Sequence, residues 1–377
     1  MKSKISIVRC ATYDYPEVEK ALRRAVDLIG GISNFIKPGS KVLIKPNLLM
    51  AKGPDFAIDT HPEVVRAVIR LLKEVDAKIY VGDGASVWPG QSNEMKVVYE
   101  KSGIQKVADE EGVDLVKFVN RRWYGKVLLT TWFSECDYII SIPKLKTHNY
   151  TVITGAIKNL FGLVPDRYKL ELHKQYCSVE KFGQMLIDIY ETVRPSLSII
   201  DGIVAMEGDG PGTSGILRNL GLVLAGADAI ALDSVMARIM GIKPLDVPML
   251  KEGHKRKLGN IHLEDIEIVG EPLKDVSGKP FKFPNSFNMK VPEVFQKFLF
   301  KIVVRFYPSF DRKKCVMCLT CVKTCPNNAI TVYNDRLVLD YSKCISCFCC
   351  QESCPHSAIK VKRGIITRLM RIFIKWK

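Results

Sequence analysis

Short apolar runs rich in β-branched residues alternate with longer segments of helical periodicity through residues 1–290. Runs of this kind predict strands, and apolar residues spaced three and four apart predict amphipathic helices. Their alternation is typical of an α/β fold, a mainly parallel open sheet covered by helices on both faces. The pattern predicts strands at Ile5–Arg9, Lys41–Lys45, Lys78–Gly82, Asp137–Ile142, Leu197–Ile200, Leu222–Ala225 and Glu267–Val269, and helices at Val18–Ile29, Pro62–Lys73, Val179–Val193 and Ala229–Met240.

Four of the predicted strands run directly into polar segments that contain glycine or proline. In open α/β sheets ligands bind outside the carboxyl ends of the strands, which meet at one edge when the strands are parallel. A further segment, 154–162, opens with small residues, then becomes helical, and brings its own lysine and asparagine. Lysines, a histidine, amides and aspartates gathered at one edge suit an anionic substrate. We expect catalytic roles for Lys45, Asp83, Lys146 and His148, and substrate contacts from Asn47, Lys144, Lys158, Asn159 and Asp201.

The chemistry of each residue type in this candidate site predicts the role of the residue. The lysines are expected to neutralise anionic groups of the substrate, and His148 to act as an acid, a base or a metal ligand. The aspartates are expected to orient His148 or to bind a cation. Simpler roles stay open, because Asp83 and Asp201 precede glycines as turn formers do. The lysines also suit a solvated surface, and His148 suits a helix cap or the core.

Cysteine is distributed unevenly, since nine of the twelve lie between Cys315 and Cys354. The sequence begins without the apolar segment of a secretory signal, so we expect a cytoplasmic protein whose clustered cysteines bind metal. Eight of the nine form two runs with the spacing C-x2-C-x2-C-x3-C-P, and Cys349 is left over. The runs are Cys315, Cys318, Cys321 and Cys325, then Cys344, Cys347, Cys350 and Cys354.

This spacing resembles that of two-cluster bacterial ferredoxins over residues 308–360. The resemblance implies a small α+β ferredoxin-like domain with two [4Fe-4S] clusters, in which each run gives three ligands to one cluster and its last cysteine to the other. Structural zinc is the alternative, although zinc sites usually come as separated C-x2-C pairs. The resemblance assigns cluster 1 to Cys315, Cys318, Cys321 and Cys354, and cluster 2 to Cys344, Cys347, Cys350 and Cys325.

The longer part of the chain is identified as a member of the family known as domain of unknown function 362. The motifs that carry this resemblance are, in order, KPNLL, GDG, PKLKTH, TGAIKNLFG, DGIVAMEGDGP and ADAIALDSVMARIMG. It implies a fold and a frequent ferredoxin module, but no reaction. The stretch from PKLKTH to TGAIKNLFG is more distantly similar to the amino domain of nickel-pincer lactate racemases, where histidines face a lysine-tethered nickel cofactor. This chain has His148 but no evident full set of the other histidines, which argues against nickel chemistry.

Composition and charge divide the chain further. The 377 residues are 47% hydrophobic and 25% charged, as in ordinary globular proteins, and no apolar run is long enough to predict a membrane-spanning helix. The net charge is +16, and the stretch from Lys360 to Lys377 holds seven basic residues and no acidic one. We predict a large α/β domain, a linker with an amphipathic helix, the two-cluster domain and a basic amphipathic tail, at residues 1–271, 272–307, 308–360 and 361–377.

Two basic amphipathic helices are expected, at Glu293–Tyr307 and Gly364–Lys377. Their apolar faces would either pack against the rest of the chain or attach the protein to the anionic inner face of a membrane or to an acidic partner. The second interpretation makes the protein cytoplasmic and peripheral on the membrane.

Two complete cysteine runs favour an iron–sulfur electron-transfer protein, since a structural role needs a single cluster. Its large domain is expected to bind or reduce an anionic substrate, as in an iron–sulfur oxidoreductase, or to dock a redox partner protein. The alternative is a non-redox enzyme that acts on an anionic metabolite, with structural or regulatory clusters. No flavin or nicotinamide fingerprint follows a strand. No RNP-like or helix-turn-helix pattern supports nucleic acid as a partner.

Overall fold

The computed structural model describes residues 2–85, 95–165, 168–284, 286 and 306–363. The predicted helix Gly364–Lys377 and all but the last two residues of the predicted helix Glu293–Tyr307 lie outside the described residues. Within the described part of the chain, no helix is long and apolar enough to cross a membrane.

The strands form one ten-stranded sheet and three two-stranded sheets. Each of the seven predicted strands coincides with an observed one. The strands are β1 (Ser3–Arg9), β2 (Lys41–Pro46), β3 (Lys78–Val81), β4 (Asp114–Leu115), β5 (Arg121–Tyr124), β6 (Val127–Thr130), β7 (Tyr138–Ile142), β8 (Lys144–His148), β9 (Val152–Thr154), β10 (Leu197–Gly208), β11 (Gly215–Gly226), β12 (Ile266–Gly270), β13 (Phe306–Phe310), β14 (Ile330–Tyr333), β15 (Arg336–Leu339) and β16 (Ile359–Arg363).

The helices include all four predicted from periodicity, with small shifts of their ends. They are α1 (Tyr15–Asp27), α2 (Pro62–Lys73), α3 (Met95–Ser102), α4 (Ile104–Glu111), α5 (Trp132–Glu135), α6 (Ala156–Asn159), α7 (Tyr168–Gln175), α8 (Val179–Val193), α9 (Ala229–Ile239), α10 (Pro248–Lys255), α11 (Leu273–Val276), α12 (Thr320–Lys323) and α13 (Cys349–Glu352). Short 3₁₀ turns occur at Ile32–Asn34, Pro54–Phe56, Leu160–Leu163, Pro244–Asp246 and Leu263–Asp265.

The large sheet is mainly parallel, which confirms the predicted α/β class. Its strand order is β12-β1-β11-β10-β7-β2-β3-β4. Only β11 among the strands of this order runs antiparallel to its neighbours, β1 and β10. A hydrophobic core lies on each face: α1 and α2 contribute to one, and α8 and α9 to the other. The strand ends that carry the candidate residues therefore open on a common edge.

Two segments near this edge differ from the prediction. Lys144–His148, expected as a loop, is strand β8, which pairs with β10 and β9. Strand β10 continues to Gly208, so Asp201 lies inside a strand and not in a turn at its end. The cause is tertiary pairing: β10 and β11 pair as far as Gly208 and Gly215, which satisfies the backbone of a polar, glycine-containing segment.

The cysteine-rich module is closed by an antiparallel pair of strands, β13 and β16, with the β14–β15 hairpin between them in sequence. The pair joins Phe306 to Arg363, so β16 continues past the predicted domain boundary at residue 360. Phe306 and Tyr307, which periodicity assigned to a helix, are the first residues of β13. A pairing partner more than fifty residues away in sequence is not visible in a local apolar pattern.

Candidate functional site

The eight repeat cysteines line two separate cavities. Each cavity takes three cysteines from one run and the last cysteine from the other, which fits the donor sets that the ferredoxin resemblance implies. Among the described residues, no group of three or more His, Cys, Asp or Glu side chains is placed to hold a single metal ion. Cys315, Cys318, Cys321 and Cys354 line the first cavity, and Cys325, Cys344, Cys347 and Cys350 line the second.

Both cysteine loops have the same unusual backbone. Met317 and Leu319 have φ values of 55° and 60°, and Ser346 and Phe348, at the matching positions, have 57° and 61°. Non-glycine residues rarely adopt this left-handed conformation. Its recurrence indicates that each repeat requires the same backbone conformation around its cavity.

The last cysteine of each run accepts a backbone hydrogen bond at its sulfur. The N–H of Ala329 donates to Cys325 Sγ at 3.2 Å, and the N–H of Ala358 donates to Cys354 Sγ at 3.4 Å. Hydrogen bonds to the charged form stabilise a thiolate. The chemistry and the placement of the cysteine sulfur ligands therefore suit an iron–sulfur group.

The second repeat is bound directly to the large domain. Gln351, on α13, is 1% exposed, and its amide donates to Asp209 O at 2.8 Å and accepts from Asn149 Nδ2 at 3.1 Å. Thr213, in the turn between β10 and β11, donates to Cys354 O at 2.7 Å. The polar turn that follows β10 thus forms the contact surface for the cysteine module.

A small polar cavity, with a volume of about 40 Å³, lies between the carboxyl-terminal edge of the sheet and α13. Its walls come from the ends of β2 and β3, from β8, from α6 with the turn after it, and from α7. Of the predicted site residues, it brings together Asn47, Asp83, His148, Lys158 and Asn159.

Lys45 lies immediately behind this wall and is fully buried. Its Nζ donates to Asp83 Oδ1 at 2.6 Å, to Asn159 Oδ1 at 3.2 Å and to Pro46 O at 3.0 Å. Burial lowers the pKa of Lys45, and the carboxylate of Asp83 opposes that shift. All three ammonium hydrogens have acceptors, so Lys45 positions Asp83 and Asn159 in the wall. Gly162 makes this possible, because a Cβ there would collide with both Lys45 and Asp83.

His148 presents a hydrogen-bond donor to the cavity. Its Nδ1 accepts the backbone N–H groups of Tyr150 at 3.0 Å and Thr151 at 3.3 Å. Burial, followed by the charge of Lys158, lowers the pKa of His148 well below its usual value. A neutral imidazole that accepts at Nδ1 carries its proton on Nε2. Ligation of a metal through Nε2 favours the opposite tautomer, in which Nδ1–H donates, so these contacts favour the role of a fixed N–H donor.

Three buried polar atoms in this wall lack a hydrogen-bond partner within the described part of the chain. They are Asn47 Oδ1, His148 Nε2 and His173 Nδ1. His148 Nε2 lies 3.7 Å from Glu352 Oε2, beyond hydrogen-bond distance. Buried polar groups are nearly always paired, so three unpaired atoms around one cavity indicate a place for a polar ligand.

Lys158 supplies positive charge beside these atoms. It is half-buried, and no hydrogen bond or ion pair joins it to another described residue. Burial lowers the pKa of Lys158, while the charges of Glu352, Cys349 and Asp83 act in the opposite direction. Lys158 therefore lines the cavity within electrostatic range of the second cysteine run.

Lys144 and Asp201 form a different buried cluster. Lys144 Nζ lies 2.8 Å from Asp201 Oδ2, and Tyr13 OH donates to Asp201 Oδ1 at 2.8 Å. Although burial alone would raise it, the Lys144 ammonium holds the pKa of Asp201 below its usual range. The N–H of His61 also binds this carboxylate, at 3.0 Å. The pair connects β8, β10 and the start of α2 and does not line the cavity.

Lys146 is also separate from the cavity lining. It is 1% exposed, and its Nζ donates to Ile58 O. Burial lowers the pKa of Lys146 to about 7 and raises that of neighbouring Asp59 to about 7. The catalytic role predicted for Lys146 remains a prediction, whereas its neighbours are those of a core residue.

Three ionisable residues of the wall were not predicted from sequence: Lys169, His173 and Glu352. Lys169 donates to Gly84 O, and His173 stacks on Phe182 with ring centroids 4.6 Å apart. Burial lowers the pKa of His173 to about 3. No motif marks α7, whose contribution depends on tertiary packing. Glu352 had one usable signal, because it lies inside the second cysteine run.

Comparison with known proteins matches both parts of the chain. The family model described as a domain of unknown function (DUF362) matches residues 42–238, and that of the 4Fe-4S dicluster domain matches residues 307–355. A thylakoid-associated protein of Synechocystis sp. is 34% identical over 257 residues, which cover 66% of this chain and 78% of that protein.

Two solved structures resemble part of the chain. The lactate racemase apoprotein of Thermoanaerobacterium thermosaccharolyticum is 12% identical, with a TM-score of 0.41, over 64% of this chain and 58% of that chain. A protein of Thermotoga maritima is 12% identical, with a TM-score of 0.36, over 65% of this chain and 59% of that chain. The chain thus spans less than two thirds of either protein.

Proposed function

We propose that this chain, which belongs to the DUF362 family and carries a 4Fe-4S dicluster domain, is an iron–sulfur oxidoreductase. Neither family description names a reaction, so the proposal is drawn from the geometry of the chain. In this proposal it holds two [4Fe-4S] clusters, and its large domain binds a small anionic substrate in the cavity against α13. The cysteine module exchanges electrons with that substrate.

One observation carries the proposal: Glu352, two residues after Cys350, is part of the cavity wall. Cys350 lines the second cysteine cavity, so α13 contributes a residue to each of the two cavities. A structural cluster has no need to lie against a polar cavity with unpaired hydrogen-bonding atoms. This adjacency favours the redox interpretation over the non-redox alternative.

Recognition of the anion is assigned to Lys158 and His148. The Lys158 ammonium and the His148 Nε2–H are donors, and neither has a hydrogen-bond acceptor among the described side chains. A carboxylate or phosphate that accepts from both would remove the cost of leaving a buried donor unpaired. Asn47 Oδ1, an unpaired acceptor in the same wall, would bind a hydroxyl or amino group of the ligand.

The chemistry proposed for the site is reduction of a double bond in the bound anion, or its reverse. Bound clusters supply single electrons. The substrate takes up two electrons and two protons, while an external one-electron donor protein is oxidised twice. Lys158 is assigned as the proton donor for both protons in turn, since burial favours its loss of a proton and partial exposure lets solvent return one after each transfer. His148 stays neutral and orients the anion.

Cluster content is tested first, on protein purified without oxygen. Two [4Fe-4S] clusters require about eight iron and eight acid-labile sulfide per chain and an electron paramagnetic resonance spectrum of the reduced protein with two interacting centres. About four iron, or stoichiometric zinc, contradicts the two-cluster part of the proposal.

Substrate binding is tested with a panel of monocarboxylates, dicarboxylates, inorganic phosphate and phosphate monoesters. A ligand of the cavity is expected to raise the melting temperature and to perturb the resonance of one cluster. Lys158→Met should abolish both effects, whereas the matched variant Lys126→Met, at an exposed position between β5 and β6, should retain them. A panel with no active member, or equal effects in both variants, contradicts the proposal.

Membrane association is a second property that we propose. The relative from Synechocystis sp. is described as thylakoid-associated. In this chain, seven of the eighteen residues from Lys360 to Lys377 are basic and none is acidic. Such a segment is attracted to an anionic leaflet. The protein would then work at the membrane surface.

A further inference from the structure

The two cysteine repeats are equivalent in backbone but not in surroundings. The second run follows the first by 29 residues, so Cys318 corresponds to Cys347 and Lys323 to Glu352. Glu352 is buried in the cavity wall, whereas Lys323 is exposed. The large domain therefore covers one repeat and leaves the equivalent surface of the other open.

The exposure of the cysteines follows the same asymmetry. Cys347 and Phe348 are 8% and 6% exposed, and Cys318 is exposed. Val316, the equivalent of Ile345, is a large apolar side chain that is 61% exposed. The first loop thus brings a candidate cluster ligand and an apolar contact point to the surface.

Positive charge surrounds this exposed loop. Arg312, Lys313 and Lys314 immediately precede Cys315, and all three are exposed. Lys323, on α12, adds a fourth basic side chain after the loop. The one acidic residue between positions 306 and 334, Asp311, already faces Lys360 at 3.6 Å. We call the exposed side chains of Arg312, Lys313, Lys314, Val316, Cys318 and Lys323 the basic loop surface.

We infer that the basic loop surface is the docking site for an acidic one-electron donor protein. The inference rests on the proposed function and names the entry point for its electrons. A surface of positive charge speeds the encounter with a negatively charged partner and fixes its orientation. The exposed Cys318 and Val316 lie within the charged residues, where the partner's own redox centre would approach most closely.

Each encounter transfers one electron. The donor loses it and the cysteine module gains it at the first repeat, and the second repeat passes it towards the cavity. An anionic membrane would also be attracted by four basic residues, but this surface exposes a single large apolar side chain and no aromatic ring of the kind that enters the membrane interface. An acidic protein fits the surface better.

The test uses photoreduced flavodoxin, an acidic one-electron donor, mixed anaerobically with the oxidised holoprotein in the absence of substrate. The rate of cluster reduction is compared for Lys313→Glu/Lys314→Glu/Lys323→Glu and for Lys20→Glu/Lys37→Glu/Lys78→Glu. The second variant makes the same charge change at exposed lysines of the large domain. Dithionite serves as a small donor that needs no docking surface.

The first triple variant is expected to lower the flavodoxin rate constant by about tenfold at low ionic strength and to weaken its salt dependence. Dithionite rates should stay unchanged, and the control variant should lose less than about threefold. Zero-length carbodiimide cross-linking to flavodoxin, mapped by mass spectrometry, should join its carboxylates to Lys313, Lys314 or Lys323 in the wild type.

Equal losses in both triple variants would overturn the inference, because the effect would then come from net charge. Cross-links elsewhere would overturn it too, as would a first variant that loses only its binding to anionic vesicles. Since no substrate is present, failure of the cavity proposal leaves this result unaffected, and failure here leaves the cavity tests intact.

Discussion

At the scale of single residues, the site depends on buried charges with assigned partners. The sequence allowed Lys45 and Asp83 to be grouped, because parallel strand ends meet at one edge. It did not show that they bind each other, with Asp83 2% exposed and Lys45 fully buried. Nor did it separate Lys144 and Asp201 from the cavity, since Asp201 was placed at a strand end that lies several residues further on. The pairing of β10 with β11 sets the length of β10, and this length places Asp201 inside the strand and not at its end.

Lys45→Met is expected to destabilise the protein by about 3–5 kcal/mol, because it leaves the Asp83 carboxylate buried without its counter-charge. In an Asp83→Asn background the same substitution should cost clearly less, since no buried charge remains unpaired. Anaerobic urea unfolding of the two single variants and the double variant measures this. Equal costs in the two backgrounds would show that the pair is not coupled.

His61 makes stability depend on pH. Burial against Tyr13, whose ring stacks at 3.6 Å, lowers the pKa of His61 to about 4. Between that value and its ordinary pKa of about 6.5, the unfolded chain binds more protons, so stability falls as the pH falls through this window. His61→Asn keeps an acceptor for the Glu63 N–H but does not titrate. From pH 6.5 to 5, wild type should lose about 1.6 kcal/mol more than this variant. Parallel losses in urea unfolding would refute it.

At the scale of elements, local pattern sufficed where an element packs through its own apolar positions. The helices Pro62–Lys73 and Val179–Val193 appear at their predicted bounds because their spacing of apolar residues is regular. The strand β8 is polar in sequence yet wholly buried, since it pairs with β10 and β9 and its last residue, His148, faces Glu352 of the cysteine module. Only the fold creates that environment.

The helix α13 is the element that joins the two parts of the site. Gln351→Ala would remove the hydrogen bond to Asp209 O and the one from Asn149 Nδ2, which keeps its bond to Gly210 O, at a cost of about 1–3 kcal/mol. The equivalent substitution in the first repeat, Val322→Ala, removes no contact with the large domain and serves as the control. Hydrogen exchange should accelerate in residues 206–215 and 349–354 in Gln351→Ala alone. Unchanged protection there would show that Gln351 does not hold the module in place.

At the scale of the whole molecule, the arrangement is a path from an exposed cysteine loop, through a buried one, to a polar cavity. The cysteine spacing made the module predictable from sequence, because ligand spacing is a strictly local property. The position of the module against the cavity was not predictable, since it depends on hydrogen bonds between residues about 200 positions apart, such as Asn149 and Gln351. The packing of the cysteine module against the large domain was thus a part of the structure that the sequence did not predict.

Membrane attachment also belongs to this scale. Liposome co-sedimentation at low salt should show binding to anionic vesicles, at about 1 kcal/mol for each basic residue near the surface. Deletion of Ile365–Lys377 should abolish this binding and leave the iron content unchanged. An intact protein that stays in the supernatant would refute the membrane interpretation of the tail.

The central claim is that the cavity and the cysteine module act together in electron transfer. Its most direct test mixes dithionite-reduced, desalted protein with the anion selected from the panel and follows the visible absorbance of the clusters in a stopped-flow cell. The wild type is expected to reoxidise as the anion is reduced, and Lys158→Met to do so at least about tenfold more slowly, since each loss of about 1.4 kcal/mol in substrate binding is a factor of ten. Protein that stays reduced with the anion bound, or both proteins reoxidising at one rate, would contradict the account.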